Sequence, residues 1–160
     1  MPPATPQRFD SPPAPPPEAP TVVLDTNVVL DWLLFDEPLC RPLARQVESG
    51  ALRWLATAAM RDELTQVLRR PMLQRWKPDC VHLLSVFDSC AGLVAVSDQS
   101  AAPGTLRCRD GDDQKFLDLA HSAGARWLIS RDRALLDLAR RARPLGFEIL
   151  TPALWSAHND

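Results

Sequence analysis

Four acidic residues from distant segments of the chain could together carry out chemistry: Asp25, Glu63, Asp113 and Asp132. Hard divalent cations such as Mg²⁺ and Mn²⁺ prefer oxygen ligands of this kind. Two such ions about 4 Å apart can activate a water molecule and stabilise the leaving oxygen of a phosphodiester. Without a cation, four neighbouring carboxylates would repel one another and some would take up protons. If the fold brings the four acids together, they predict a metal-dependent phosphodiester-cleaving site.

Each of these acids also has a purely structural explanation. Asp25 and Asp132 stand where Asp commonly caps a helix, and Asp113 suits a helix N-terminus because of the helix macrodipole. Glu63 is a good helix former and, considered alone, would face solvent. Taken one by one, the residues favour capping or solvation as readily as metal binding. Only their shared position near strand ends favours a site.

The elements that must position these acids follow from the hydrophobic pattern. Short apolar runs without polar alternation are typical of strands buried on both faces of a parallel sheet. The predicted strands cover residues 21–24, 52–56, 93–96, 127–129 and 147–150. The predicted helices cover residues 28–34, 38–48, 58–70, 78–91, 112–123 and 133–143, with a short one from residue 152. This alternation predicts an α/β fold, a parallel five-stranded sheet with helices on both faces.

The predicted parallel sheet indicates where a ligand would bind. In open parallel sheets, ligands bind outside the carboxyl ends of the strands. Asp25 directly follows the first predicted strand, and Asp132 follows the fourth across two residues. Asp113 begins a helix near the same edge, and Glu63 lies one to two turns into the helix after the second strand.

Length and composition predict one folded domain with a tail. The chain has 160 residues, of which 46% are hydrophobic and 24% charged, as is ordinary for a globular domain. Residues 1–20 contain nine of the sixteen prolines, so we predict a disordered tail there and a folded domain at 21–160. No apolar run approaches the roughly 20 residues of a membrane helix, and no secretory signal is evident. We therefore expect a cytoplasmic protein without membrane contact.

Other common sites are not favoured by the sequence. The cysteines form no Cys-x-x-Cys pair, so a zinc site is not expected and reduced thiols are. The histidines show no triad spacing, and the glycines show no dinucleotide-binding or Walker pattern. The formal net charge is −2, although basic residues cluster around 69–77 and 131–143. Such clusters could follow a phosphate backbone or could simply be solvated helix faces.

Four segments resemble the motifs of the PIN-domain family. Residues 22–28 (Val-Val-Leu-Asp-Thr-Asn-Val) resemble its opening motif, and residues 61–64 its second acidic position. Residues 110–117, with the acids followed by Phe-Leu, resemble its third, most closely in the subgroup regarded as toxin components. Residues 128–132 resemble the family's strand followed by Ser/Thr-x-Asp. The resemblance extends over about residues 21–155.

The resemblance implies a VapC-like ribonuclease, the toxin of a toxin–antitoxin pair. Asp25 and Asp113 would be the principal metal ligands. Glu63 would complete the site or orient the attacking water, and Asp132 would bind a second ion or hold ordered waters. Hydrogen bonds from neighbouring residues would orient these carboxylates. These supporting residues are Thr26, Asn27 and Ser130.

The choice among neighbouring acids also follows from the resemblance. Asp113 precedes Phe116 and Leu117 at the spacing of the family's helix, so it is preferred to Asp112 as the ligand. Asp112 is expected to cap the helix, with Asp110 as a nearby acid or loop residue. A further acid, Asp31, is expected on the surface.

The implied cofactor is Mg²⁺ or Mn²⁺, and the implied partners are RNA, a small antitoxin and a second copy of the chain. An antitoxin Arg could enter the acidic cleft and compete with the metal. Two other functions remain open. A metal-dependent phosphatase would usually need an Asp-x-Asp pair or a nearby Lys, whereas Asp25 is followed by Thr-Asn. A non-catalytic module that binds RNA or protein would need only the fold.

Overall fold

The structure is a computed structural model that describes residues 19–95 and 106–159. The strands β1 to β5 are Thr21–Leu24, Arg53–Ala56, Ala91–Leu93, Trp127–Ile129 and Glu148–Leu150. The helices α1 to α8 are Thr26–Leu33, Arg41–Ser49, Ala58–Leu68, Cys80–Cys90, Gln114–Ser122, Arg133–Leu136, Ala139–Ala142 and Pro152–Asn159. Short 3₁₀ helices lie at Pro38–Cys40, Pro71–Trp76, Gly111–Asp113 and Arg143–Leu145.

The five strands form one parallel sheet in the order β3-β2-β1-β4-β5. The chain first builds outward from β1 to one side and then returns to add β4 and β5 on the other. The strand order therefore reverses between β1 and β4, and such switch points are where open α/β sheets bind ligands. Leu24 pairs with Ile129 at this point, so the residues that follow these two strands lie side by side.

The central strands are apolar because both of their faces are covered. Val22 and Val23 in β1 and Leu128 and Ile129 in β4 are all fully buried. Successive side chains of a strand point to opposite faces, so helices must pack on both faces of the sheet. The predicted α/β architecture is thereby confirmed.

The helices pack on this sheet through large aromatic side chains. Trp54 of β2 and Phe87 of α4 meet edge to face, with ring centroids 4.8 Å apart. Trp127 of β4 and Trp155 of α8 do the same at 5.9 Å. Among the described residues, no helix is long and apolar enough to cross a membrane.

The third strand was predicted two residues too late. It was expected at 93–96 after a helix broken by Gly92, but α4 passes directly into a strand at Ala91–Leu93. Hydrogen bonding with β2 decides this boundary, because Gly92 pairs with Leu55 inside the sheet. An apolar run alone does not reveal which of its residues reach the neighbouring strand. Val96, the last residue of the predicted strand, lies outside the described residues.

Three predicted helices are interrupted. The segments 38–48 and 112–123 each begin with a 3₁₀ turn, before α2 and α5, and the segment 133–143 divides into α6 and α7. Leu135, Leu138 and Ala142 are nevertheless all buried, so apolar side chains of this segment pack into the core despite the interruption. Residues 1–18 lie outside the described part of the chain, and the disordered tail stays a prediction.

Candidate metal centre

Three of the four predicted acids meet at the carboxyl edge of the sheet. Asp25, Asp113 and Asp132 each offer one carboxylate oxygen, and these oxygens lie within 4.8 Å of one another. Asp25 directly follows β1, and Asp132 belongs to the loop after the adjacent β4. Asp113 arrives from a different direction, at the N-terminus of α5, which packs against β1 and β4.

Ser130 connects two of these acids. Its side chain is fully buried, and its hydroxyl donates to Oδ2 of Asp25 at 2.7 Å. The hydroxyl oxygen of Ser130 also accepts a hydrogen bond from the backbone N–H of Asp132 at 2.9 Å. One hydroxyl therefore contacts both the first carboxylate and the loop that carries the second.

Helix capping does not remove Asp132 from the cluster. Its Oδ1 accepts the backbone N–H of Ala134 at 2.9 Å and so caps α6. Asp132 nevertheless offers one carboxylate oxygen within 4.8 Å of those of Asp25 and Asp113. Asp25 also occupies an N-cap position, that of α1, but its side chain makes no capping hydrogen bond. The structural and functional explanations of these acids are thus compatible.

The surroundings of Asp25 and Asp113 raise the pKa of both carboxyl groups and so favour their protonated forms when no cation is bound. Burial raises the pKa of Asp25, and the nearby charges of Asp132 and Glu63 raise it further. The Ser130 hydroxyl and, more weakly, the backbone N–H of Asn27 oppose that rise in the pKa. The pKa of Asp113 rises to about 8, first because of burial and then because of its hydrogen bond and charge contacts with the neighbouring acids.

Asp113 also has a buried carboxylate oxygen that the described residues leave unpaired. Its side chain is 8% exposed, and within the described part of the chain its Oδ2 has no hydrogen-bond partner. Buried polar atoms in native proteins are nearly always paired. A hard divalent cation would satisfy this oxygen and neutralise the neighbouring carboxylates. The three aspartates therefore fit Mg²⁺ or Mn²⁺.

Glu63 lies beside the cluster rather than within it. Its Oε1 accepts a hydrogen bond from Lys115 Nζ at 2.9 Å, and its Oε2 accepts one from the hydroxyl of Thr26. It is close enough for its charge to raise the pKa of Asp25. Thr26 thus contacts the carboxylate of Glu63, whereas Asn27 is exposed and reaches Asp25 through its backbone N–H.

Lys115 is a site residue that the sequence reasoning missed. Its ammonium group contacts Glu63 and also donates to the carbonyl oxygen of Asp112 at 2.6 Å. In the sequence, only its position two residues after Asp113 could have pointed to Lys115. A lone Lys on an amphipathic helix is usually solvated, so this position became informative only once the contact with Glu63 was known.

Two expectations about neighbouring acids were wrong. Asp110, not Asp112, caps the turn before α5: its side chain accepts the backbone N–H of Asp112 at 3.0 Å, and Asp112 is exposed.

Asp31 was expected on the surface but is 6% exposed. It pairs with Arg131, with Nε 2.5 Å from Oδ2 and Nη2 3.0 Å from Oδ1. Nothing local in α1 indicated that an Arg from the β4–α6 loop would cover Asp31.

The cysteines take no part in this centre. Cys40, Cys80, Cys90 and Cys108 are all free thiols, as predicted. Burial raises the pKa of Cys40 to about 12, so its thiol stays protonated and is a poor metal ligand. The chemistry of the centre is therefore that of carboxylate oxygens.

Comparison with known proteins places this arrangement in context. A family model described as PIN domain matches residues 21–134, the range that contains all four predicted acids. No curated protein matches the chain by sequence.

Solved structures share the fold at low sequence identity. One is VapBC2 from Rickettsia felis bound to a DNA fragment from their promoter, with a TM-score of 0.52 and 12% identity over 81% of this chain and 96% of that chain. Another is PAE2754 from Pyrobaculum aerophilum, with a TM-score of 0.52 and 16% identity over 82% of this chain and 90% of that chain. At such identities the likeness concerns the fold alone.

Proposed function

The chain belongs to the PIN-domain family, and from this premise we propose that it is a metal-dependent endoribonuclease that hydrolyses phosphodiester bonds of RNA. The observation that carries the proposal is the convergence of three carboxylate oxygens within 4.8 Å at the switch point of the sheet. The buried Oδ2 of Asp113 supports it, because this atom has no hydrogen-bond partner among the described residues and a cation could coordinate it.

In this proposal Asp25, Asp113 and Asp132 hold the divalent cation. Ser130 keeps the Asp25 carboxylate turned toward the centre, a supporting contact of the kind that metal ligands need. Asp113 must lose its proton to act as a ligand, so metal binding releases a proton near neutral pH. Glu63, beside the centre, is placed to orient a water molecule rather than to ligate.

A bound Mg²⁺ or Mn²⁺ would lower the pKa of a water molecule and offset the charge that develops on the phosphate. The chain itself supplies the rigid placement of the carboxylates. Asp132 is partly exposed, whereas Asp25 and Asp113 are buried, so the open side of the centre lies by Asp132. A phosphodiester would approach from that side, where Arg133 is exposed and can attract the phosphate backbone.

The biological role is proposed from the family and the fold. The R. felis structure is a VapBC2 complex with promoter DNA, and we infer a comparable toxin role here, with a small antitoxin partner and a homodimer. An antitoxin Arg that reached the three aspartates would form charge-assisted hydrogen bonds with them and exclude the cation.

Cleavage of labelled RNA tests the proposal. Wild-type protein should cleave with Mg²⁺ or Mn²⁺ and not with EDTA, and Asp25→Asn or Asp113→Asn should lower the rate by at least roughly 100-fold. Asp112→Asn is the matched control, because it removes an exposed acid from the same turn. Equal cleavage by the wild type and both ligand variants would overturn the assignment of the centre.

One observation favours a second activity. Lys115 stands beside the acids, and a Lys near the site is a feature of phosphatases and phosphotransfer enzymes. The same proteins should therefore be assayed with a phosphomonoester such as p-nitrophenyl phosphate. If the protein released phosphate in a metal-dependent manner but did not cleave RNA, the proposed activity would be that of a phosphatase and not of a ribonuclease.

A further inference from the structure

Lys115 and Glu63 form a partly enclosed ion pair at the edge of the metal centre. Their side chains are 26% and 24% exposed, and the ammonium nitrogen lies 2.9 Å from Oε1 of Glu63. Ion pairs shielded in this way interact more strongly than pairs on the open surface. The pair joins α3 to α5, and α5 also carries Asp113 at its N-terminus.

The positions of both partners are fixed by further contacts. Lys115 also donates to the carbonyl oxygen of Asp112 at 2.6 Å, so its ammonium group is held against the N-terminal turn of α5. The second oxygen of Glu63 accepts the Thr26 hydroxyl. Both Glu63 oxygens are therefore engaged by side-chain donors, and the residue is absent from the cluster formed by the three aspartates.

The charge balance gives this arrangement a consequence for metal binding. The three aspartates and Glu63 supply four carboxyl groups, and Lys115 contributes one positive charge beside them. A second divalent cation would need Glu63 as a ligand and would have to lie close to the ammonium group, where like charges repel. A single cation bound by the three aspartates does not need Glu63 as a ligand and need not lie close to the ammonium group.

We propose that Lys115 takes the place of a second metal ion: it holds Glu63 outside the three-aspartate centre, which therefore binds one divalent cation. This inference rests on the proposed function in that the centre must bind such a cation. Lys115 is then a positioning residue, because it acts on the site through Glu63. Asp132 would share the single cation with Asp25 and Asp113 rather than hold one of its own.

The number of bound Mn²⁺ ions per chain tests this inference without reference to activity. Free Mn²⁺ measured by electron paramagnetic resonance should show one bound ion in the wild type. Lys115→Met removes the charge but keeps much of the apolar stem, and it should admit a second ion with an affinity within about tenfold of the first. Lys115→Arg keeps the charge and should still bind one ion.

Two further variants isolate the cause. Lys115→Met combined with Glu63→Gln should return to one ion, because the freed ligand is lost. Lys77→Met, which alters an exposed Lys far along the chain from α5, should bind one ion as the wild type does. A wild type that binds two ions with similar affinity would overturn the inference, even if Lys115→Met did not fold. So would a folded Lys115→Met protein that still binds one ion with unchanged affinity.

The failures of the two proposals are distinguishable. If the wild type binds no Mn²⁺, or if Asp113→Asn binds it equally well, the proposed metal centre is wrong and the inference falls with it. If the wild type binds one ion that Asp113→Asn abolishes, but Lys115→Met changes nothing, only the role of Lys115 is wrong.

Discussion

Asp113 is subject to two opposing requirements. Burial and the neighbouring acids raise its pKa to about 8, which favours the neutral side chain, whereas a cation requires the carboxylate. Asp25 is shifted in the same direction. In the metal-free protein these residues therefore hold protons in the folded state that they lose in the unfolded state at the same pH. As pH rises, the stability of the metal-free protein should therefore fall while its affinity for the cation increases.

The metal-free protein is expected to lose stability as pH rises from about 4 to 8. In this window the folded state binds more protons than the unfolded state, so the free energy of unfolding falls with rising pH. Thermal unfolding in EDTA should show a lower Tm at pH 8 than at pH 5. Asp113→Asn should flatten the curve, and Asp112→Asn should leave its slope unchanged.

Added Mn²⁺ should offset this loss, most clearly near pH 8. A ligand that binds only the folded state raises stability, and deprotonated Asp113 binds the cation better. If the Tm of the metal-free protein did not change between pH 5 and pH 8, the raised pKa of Asp113 would be contradicted.

At the scale of elements, the ion pair between Asp31 and Arg131 ties α1 to the loop between β4 and α6. Asp31 is buried, and burial raises its pKa despite the opposing charge of Arg131. The loop that Arg131 anchors also carries Ser130 and Asp132. The pair therefore contributes to the geometry of the three-aspartate cluster from outside it.

Arg131→Met should destabilise the fold, because it leaves the Asp31 carboxylate buried without a partner. Loss of one partner from a fully buried pair costs roughly 3–5 kcal/mol, and we expect about 1–3 kcal/mol because half of the Arg131 side chain is exposed. Urea unfolding measures this change. Arg133→Met, at an exposed neighbouring position, should change stability by less than about 0.5 kcal/mol.

The double variant Asp31→Asn with Arg131→Met should be more stable than Arg131→Met alone, because the unpaired charge is gone. If Arg131→Met and Arg133→Met were equally stable, the pair would have no structural role.

At the scale of the whole molecule, the fold depends on β1, the central strand. Its carboxyl end supplies Asp25, and its start is joined to both neighbours: Pro20 accepts the N–H of Arg53 at 2.9 Å and Thr21 that of Arg126 at 3.0 Å. The folded domain should therefore begin just before residue 20. The Pro-rich segment before it should not be needed for folding.

Deletion of residues 1–18 should leave the Tm and the rate of RNA cleavage close to those of the full chain. Deletion of residues 1–22 should lower the Tm sharply, because it removes half of β1, including the fully buried Val22 and the two hydrogen bonds to neighbouring strands. Burial of one Val side chain alone contributes roughly 1.5–3 kcal/mol. Thermal unfolding of both truncations measures the boundary. If both truncated proteins lost the same amount of stability, the folded domain would begin before residue 19.

The amino-acid sequence by itself determined the parallel sheet and the edge at which the acids meet. Apolar runs without alternation, such as that before Asp25, occur where a strand is covered on both faces, and this constraint is local enough to be visible in the sequence. The acids that follow β1 and β4 then had to lie together, because neighbouring parallel strands end at one edge. The approach of Asp113 followed from the family resemblance.

Only the tertiary structure decided which side chains touch. Glu63 turns to Lys115 across 52 residues of sequence, and Asp31 to Arg131 across 100. Whether a helical acid faces a cleft, a cation or solvent depends on the packing of segments far apart in the chain. The start of β3 depends on packing in the same way, because its pairing with β2 determines where the strand begins. Of the four acids, Asp25, Asp113 and Asp132 form the cluster, and the fourth, Glu63, is held beside it by a Lys.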